Sequence, residues 1–99
     1  MRGLKENIVI KDETVIVRKA GMDTTDLDGE KVMMDLDKGE YFMINEVGGR
    51  IWDIIQQPIS FKAIINILLN EYDIEENICR ESVITFIERL EEMELANME

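Results

Sequence analysis

Glu30-Lys31-Val32-Met33-Met34-Asp35-Leu36-Asp37-Lys38-Gly39-Glu40-Tyr41-Phe42-Met43-Ile44-Asn45 holds two β-type runs joined by a turn. In the first run Val32, Met34 and Leu36 would share one face and Lys31, Met33 and Asp35 the other, the two-residue alternation of a strand. Asp37-Lys38-Gly39 supplies turn residues, with Gly39 suited to a positive φ, before Glu40 to Ile44 resumes β composition. The two runs read as a hairpin. In its second strand Tyr41 and Met43 fall on one face and Phe42 and Ile44 on the other, so both faces are apolar and one needs cover from beyond the core.

Downstream the hydrophobic period changes from two to that of a helix. Asn45 is a good N-cap residue, and Val47, Ile51, Ile54 and Ile55 beside Trp52 predict a helix over about 46–56. Gly48 and Gly49 are poor helix formers, which suits a close backbone approach near the first turn. Pro58 ends the segment, and Ser60 caps a second helix with Ile59 and Ile64 at the spacing of a hydrophobic staple. Its stripe is Phe61, Ile64, Ile65, Leu68 and Tyr72, and it ends at about residue 70 or 71. A third helix over about 75–94 carries Cys79, Ser82, Val83, Phe86, Ile87 and Leu90 on one stripe. Its outer face is acidic, with Glu75, Glu76, Glu81, Glu88, Glu91, Glu92 and Glu94 against Arg80 and Arg89.

Upstream, Ile8 to Arg18 is rich in β-branched residues and predicts a strand at about 14–18. Lys19 to Gly29 mixes Gly, Asp and Thr without periodicity and reads as an exposed connection. The order of strands first and helices after gives an α+β domain.

With 99 residues there is room for one core, so a single domain over 1–99 is expected. No apolar run reaches the roughly 20 residues that span a bilayer, and Met1 to Asn7 lacks the apolar stretch of a signal peptide, so a cytoplasmic protein without a membrane partner is expected. The lone Cys79 agrees with a reducing compartment. The charge restricts partners further: 22 acidic and 11 basic side chains leave a net −11. Residues 1–22 hold five basic and three acidic groups, so the acidity belongs to the rest of the chain. Nucleic-acid affinity rests on Lys and Arg neutralising phosphates, so no nucleic-acid partner is expected, and a basic or neutral one fits better.

The chain has no His and one Cys, which excludes a zinc site of the usual Cys/His kind and the Ser-His-Asp and Cys-His nucleophile systems. The stretch from Asp35 to Glu46 has the length of a calcium loop but puts Gly39 fifth instead of sixth, and a hairpin turn explains it better. No metal, cofactor or catalytic residue is expected, and Cys79 reads as a small buried hydrophobe. What remains is a sheet edge. Three short strands cannot close a barrel, and the third strand, apolar on both faces, would form with the last helix a groove for an extended peptide. The plainer reading of both stripes is ordinary core.

Gly39 to Asn45 followed by Val47-Gly48-Gly49-Arg50-Ile51-Trp52, then Pro58-Ile59-Ser60, Leu69 to Asp73 and Val83 to Leu90, resembles the PqqD-like family, the recognition elements of ribosomal peptide modification pathways. The resemblance covers about residues 14–95, and the Ile51-Trp52 pair is most similar to the stand-alone subgroup of lasso-peptide pathways. It implies a winged helix-turn-helix-like fold, a three-stranded antiparallel sheet followed by three helices, and a non-catalytic protein, monomer or weak homodimer. Its partners would be a precursor leader peptide and a leader peptidase or macrocyclase. The peptide would add beside strand three, at Tyr41, Phe42, Met43 and Ile44, and lean on Cys79, Arg80, Ser82, Val83, Phe86 and Ile87 of the last helix. Two readings of other kinds remain, a winged-helix transcription regulator and a homo-oligomeric assembly module using the same edge.

Overall fold

The computed structural model describes residues 9–27, 30–36 and 38–99. The readings made above of Met1 to Ile8, Asp28, Gly29 and Asp37 lie outside these residues. In chain order the elements are β1 Val15–Arg18, β2 Asp23–Leu27, β3 Glu30–Asp35, β4 Glu40–Ile44, α1 Glu46–Ile54, β5 Ile59–Ser60, α2 Phe61–Glu71, α3 Glu76–Glu92 and β6 Ala96–Met98.

The predicted hairpin is β3 paired antiparallel with β4, Met33 opposite Phe42 and Val32 opposite Met43. Met33 is fully buried and Asp35 nearly so, which puts Lys31, Met33 and Asp35 on the core side with Phe42 and Ile44 half-buried across from them. The stretch from Lys19 to Gly29, expected as a connection, instead contains β2, which pairs with β3 along its length, Thr25 opposite Val32. A strand built on Thr24 and Thr25 has β-branched side chains but no apolar alternation: both residues are exposed, and the backbone ladder to β3 holds the strand, with Asp26 3.9 Å from the Lys31 ammonium.

A second departure concerns the first strand, which does not join the hairpin. β1 lies at the centre of a separate small sheet in the order β5-β1-β6, all antiparallel. Ile16, fully buried, is opposite Ile59 on one side and Met98 on the other. The Val15 N–H donates to the Glu99 carbonyl at 2.9 Å and the Glu99 N–H returns to Val15 at 2.8 Å.

Both sheets pack on the three helices through one cluster that includes Ile16, Met33, Trp52, Phe61, Ile64, Leu68, Val83, Ile87 and Leu95. Asn45 caps α1, its side chain accepting from the Gly48 N–H at 2.7 Å, and Ser60 caps α2 through the Ala63 N–H at 3.2 Å. α3 ends at Glu92, two residues short of the sequence expectation, because Glu94 takes a left-handed conformation with φ 61°. The Leu95 N–H then reaches back to the Leu90 carbonyl at 2.7 Å and the Glu94 N–H to Glu91 at 3.0 Å, a Schellman closure sealed by buried Leu90 and Leu95. This reversal sends residues 96–98 beside β1.

Candidate functional site

β4 has β3 on one side and is, among the described residues, the last strand of its sheet. Its outward side chains, Tyr41 and Met43, are 72% and 59% exposed, while Phe42 and Ile44 turn toward α3. Between this edge and α3 runs a cleft of about 420 Å³, lined by residues 41–45 on the strand side and by Phe86, Arg89, Leu90 and Met93 on the helix side, with Met33 at its floor. The glycines of α1 set its width. A methyl group added to Gly48 would lie 3.2 Å from the Phe86 ring, and one added to Gly49 3.3 Å from Lys31 Cβ. The absent side chains thus let α1 lie close to both α3 and β3, and hold Phe86 at the mouth of the cleft.

A second, more apolar cleft of about 290 Å³ lies at the other end of α3. Val47, Leu68, Tyr72, Ile74, Cys79, Ser82 and Val83 line it. The residues named from sequence therefore divide. Tyr41, Phe42, Met43, Ile44 and Phe86 border the first cleft, and Cys79, Ser82 and Val83 the second. Ile87 is fully buried in the core. Arg80 is turned elsewhere: its guanidinium donates to Asp12 at 2.8 Å and Glu76 at 2.9 Å and lies 5.6 Å from the Phe61 ring centroid. Arg89, Leu90 and Met93 were not named from sequence as cleft residues, although their offsets of three, four and seven from Phe86 put them on its helix face.

Charges near the clefts are largely tied to each other. The Arg80 hydrogen bond holds the Asp12 carboxyl below the usual range, and the bidentate pair of Arg50 with Glu71, at 2.7 and 2.6 Å, does the same for Glu71. Burial pushes the Cys79 thiol up, only partly offset by the Arg80 charge, so it stays protonated and is a poor nucleophile. Asp35, a residue of the stretch compared with a calcium loop, faces inward and pairs with Lys19 at 3.4 Å. Among the described residues no group of three or more His, Cys, Asp or Glu side chains is placed to hold a metal ion, and no helix is long and apolar enough to cross a membrane.

Two solved structures have this fold. One is described as TbiB1 in complex with the TbiA(beta) leader peptide, with a TM-score of 0.72 and 23% identity over 82% of this chain and 94% of that one. The other is described as lasso peptide synthetase B1 complexed with the leader peptide, with a TM-score of 0.70 and 20% identity over 83% of this chain and 96% of that one. No curated protein matches the sequence. The arrangement is winged-helix-like, an antiparallel three-stranded sheet with three helices. The model of the family described as coenzyme PQQ synthesis protein D (PqqD) matches residues 30–96, about two thirds of the sequence, and the chain belongs to that family.

Proposed function

We propose that the chain captures the leader segment of a ribosomally made precursor peptide and presents it to the enzymes that modify it, a leader peptidase or macrocyclase of a lasso-peptide pathway. The observation that carries this reading is the outer edge of β4, which no other described strand pairs with, beside the helical wall of Phe86, Leu90 and Met93. An extended peptide gains backbone hydrogen bonds from such an edge and side-chain selectivity from the wall. The two solved structures that share the fold were both determined with a leader peptide, which supports the same occupant here. The peptide runs antiparallel to β4, with one apolar anchor against Phe86 and Leu90 and a second reaching the cleft at Val83.

On this reading the chain contributes binding and no bond-making step. Its working groups agree: there is no His, and the one thiol is buried and kept protonated. A dissociation constant near micromolar, about −8 kcal/mol, suits a carrier that must release its cargo. Duplex DNA is a poor alternative occupant, because α3 presents Glu81 and Glu88 to solvent and Arg80 is already paired. The single-domain organisation over 1–99, the cytoplasmic setting and a monomer or weak homodimer belong to the same proposal.

The test is a titration of isotopically labelled protein with the synthetic leader of the precursor encoded beside it. Amide signals of residues 40–44 should move together and become protected from exchange. Binding that leaves those amides unmoved rules out strand addition.

A further inference from the structure

The face of α3 that borders the cleft is not uniform along its length. Glu81, Ser82, Thr85, Phe86 and Arg89 form one shallow exposed surface, continuous with the cleft through Phe86 and Arg89. It begins with an acid and ends with a base. Elsewhere Arg50 pairs with Glu71 and Arg80 with Asp12 and Glu76. Glu81 and Arg89 are exposed, and neither forms an ion pair with another of the described residues. Eight residues apart, they stand about 12 Å from each other along the helix axis, too far to neutralise one another directly.

The direction of α3 relative to β4 is fixed at both ends. Phe86, midway along the helix, touches Gly48, just beyond the C-terminal end of β4. Leu95, just past the helix, accepts from the Lys19 N–H at 2.7 Å, and the Lys19 ammonium reaches Asp35, the residue opposite Glu40 at the N-terminal end of β4. α3 therefore runs opposite to β4. A peptide antiparallel to β4 runs in the same direction as α3 and meets Glu81 before Arg89.

We infer that Glu81 and Arg89 act as a charge ruler that fixes the direction and register of the bound peptide, taking a basic side chain toward its N-terminal end and a carboxylate toward its C-terminal end. This rests on the strand-addition reading above. At a rise of about 3.3 Å per residue, 12 Å corresponds to roughly four residues of extended chain. An even spacing puts both charges on one face of the peptide, with the apolar anchor for Phe86 between them. The overall charge of −11 favours any basic peptide at long range. The ruler instead demands one acid at a defined place, which net charge disfavours.

The experiment is a display selection with a random dodecapeptide library on the full chain, run in parallel on Glu81→Arg/Arg89→Glu. Both positions are exposed on the helix surface, so the double variant keeps the fold, checked by its far-ultraviolet circular dichroism. Wild type should enrich Lys or Arg followed about four residues later by Asp or Glu, and the double variant the opposite order. Neutralising the acid of a selected peptide should weaken binding to wild type by about two- to fivefold and leave binding to Arg89→Gln unchanged. Pools rich in apolar anchors and identical for the two proteins overturn the ruler and leave strand addition standing. Pools whose members bind without moving the amides of residues 40–44, or no enrichment at all, overturn strand addition and the ruler with it.

Discussion

The two small sheets of this protein have the same number of strands and opposite uses. In the sheet β5-β1-β6 the central strand is enclosed on both sides, and its neighbours are two and three residues long. Edges that short offer an incoming chain almost nothing to pair with. In the sheet β2-β3-β4 both outer strands are five residues long, enough to template another strand. They differ in composition. β2 reads Asp-Thr-Thr-Asp-Leu, with a charge at either side of its middle, while β4 reads Glu-Tyr-Phe-Met-Ile and borders the cleft that holds Phe86 and Met93. Charges on an edge discourage pairing, and an apolar edge beside a groove invites it. Among the described residues, one sheet is therefore closed by short edges and the other leaves an apolar edge unpaired.

If that division holds, damage to the closed sheet should appear in stability and damage near the open edge in binding. The largest effect is expected from Ile16→Ala. Ile16 is fully buried at the centre of β1, and truncating such a residue costs about 2–5 kcal/mol. Urea unfolding should show the loss, while the fraction still folded binds leader peptide with wild-type affinity. Reduced affinity in the folded fraction would mean that the two sheets are coupled. Next comes Phe86→Ala, which removes the half-buried ring at the cleft mouth. An anchor of this kind carries about 1.4 kcal/mol or more, a tenfold loss of affinity by fluorescence anisotropy. Glu88→Gln, on the exposed face of the same helix, serves as the control and should change affinity by less than about twofold. Equal losses would assign binding to the charge of α3 and not to its apolar wall.

The same contrast explains what could be read from the sequence. The hairpin β3-β4 and the three helices carry apolar side chains at periods of two and 3.6, so their kinds and approximate limits were legible, as was the close approach at Gly48 and Gly49. β2 was not, because its stability lies in the ladder to β3 and its side chains leave no pattern. The partners of β1 were hidden for another reason: Arg18 pairs with Ala96 across almost the whole chain, and three residues at a terminus carry no strand signature. Arg80 and Arg89 pose the same difficulty in the site. Both follow an acidic helix pattern, and what separates them is Asp12, 68 residues from Arg80 in sequence, which takes up the guanidinium of one and not the other. Local pattern reports which face a residue lies on; it does not report a partner that arrives from the other end of the chain.

The smallest effect concerns how β6 is delivered to β1. The chain reverses at Glu94, whose φ of 61° is a conformation that costs a residue with a Cβ about 1 kcal/mol and a glycine almost nothing. The closure is otherwise complete, with the Leu95 and Glu94 N–H groups satisfied by Leu90 and Glu91 and with Leu90 packed at the same place as Leu95. A Gly at the left-handed position of this motif is the usual solution. Glu94→Gly should therefore raise stability only slightly, by up to about 0.6 kcal/mol, after the greater flexibility of glycine in the unfolded chain is set against the relieved strain. It should leave leader affinity unchanged, because residue 94 lies outside both clefts. Destabilisation by the same substitution would show that the Glu94 side chain, and not its backbone, secures the turn, and that the closed sheet depends on a contact the geometry of the reversal does not require.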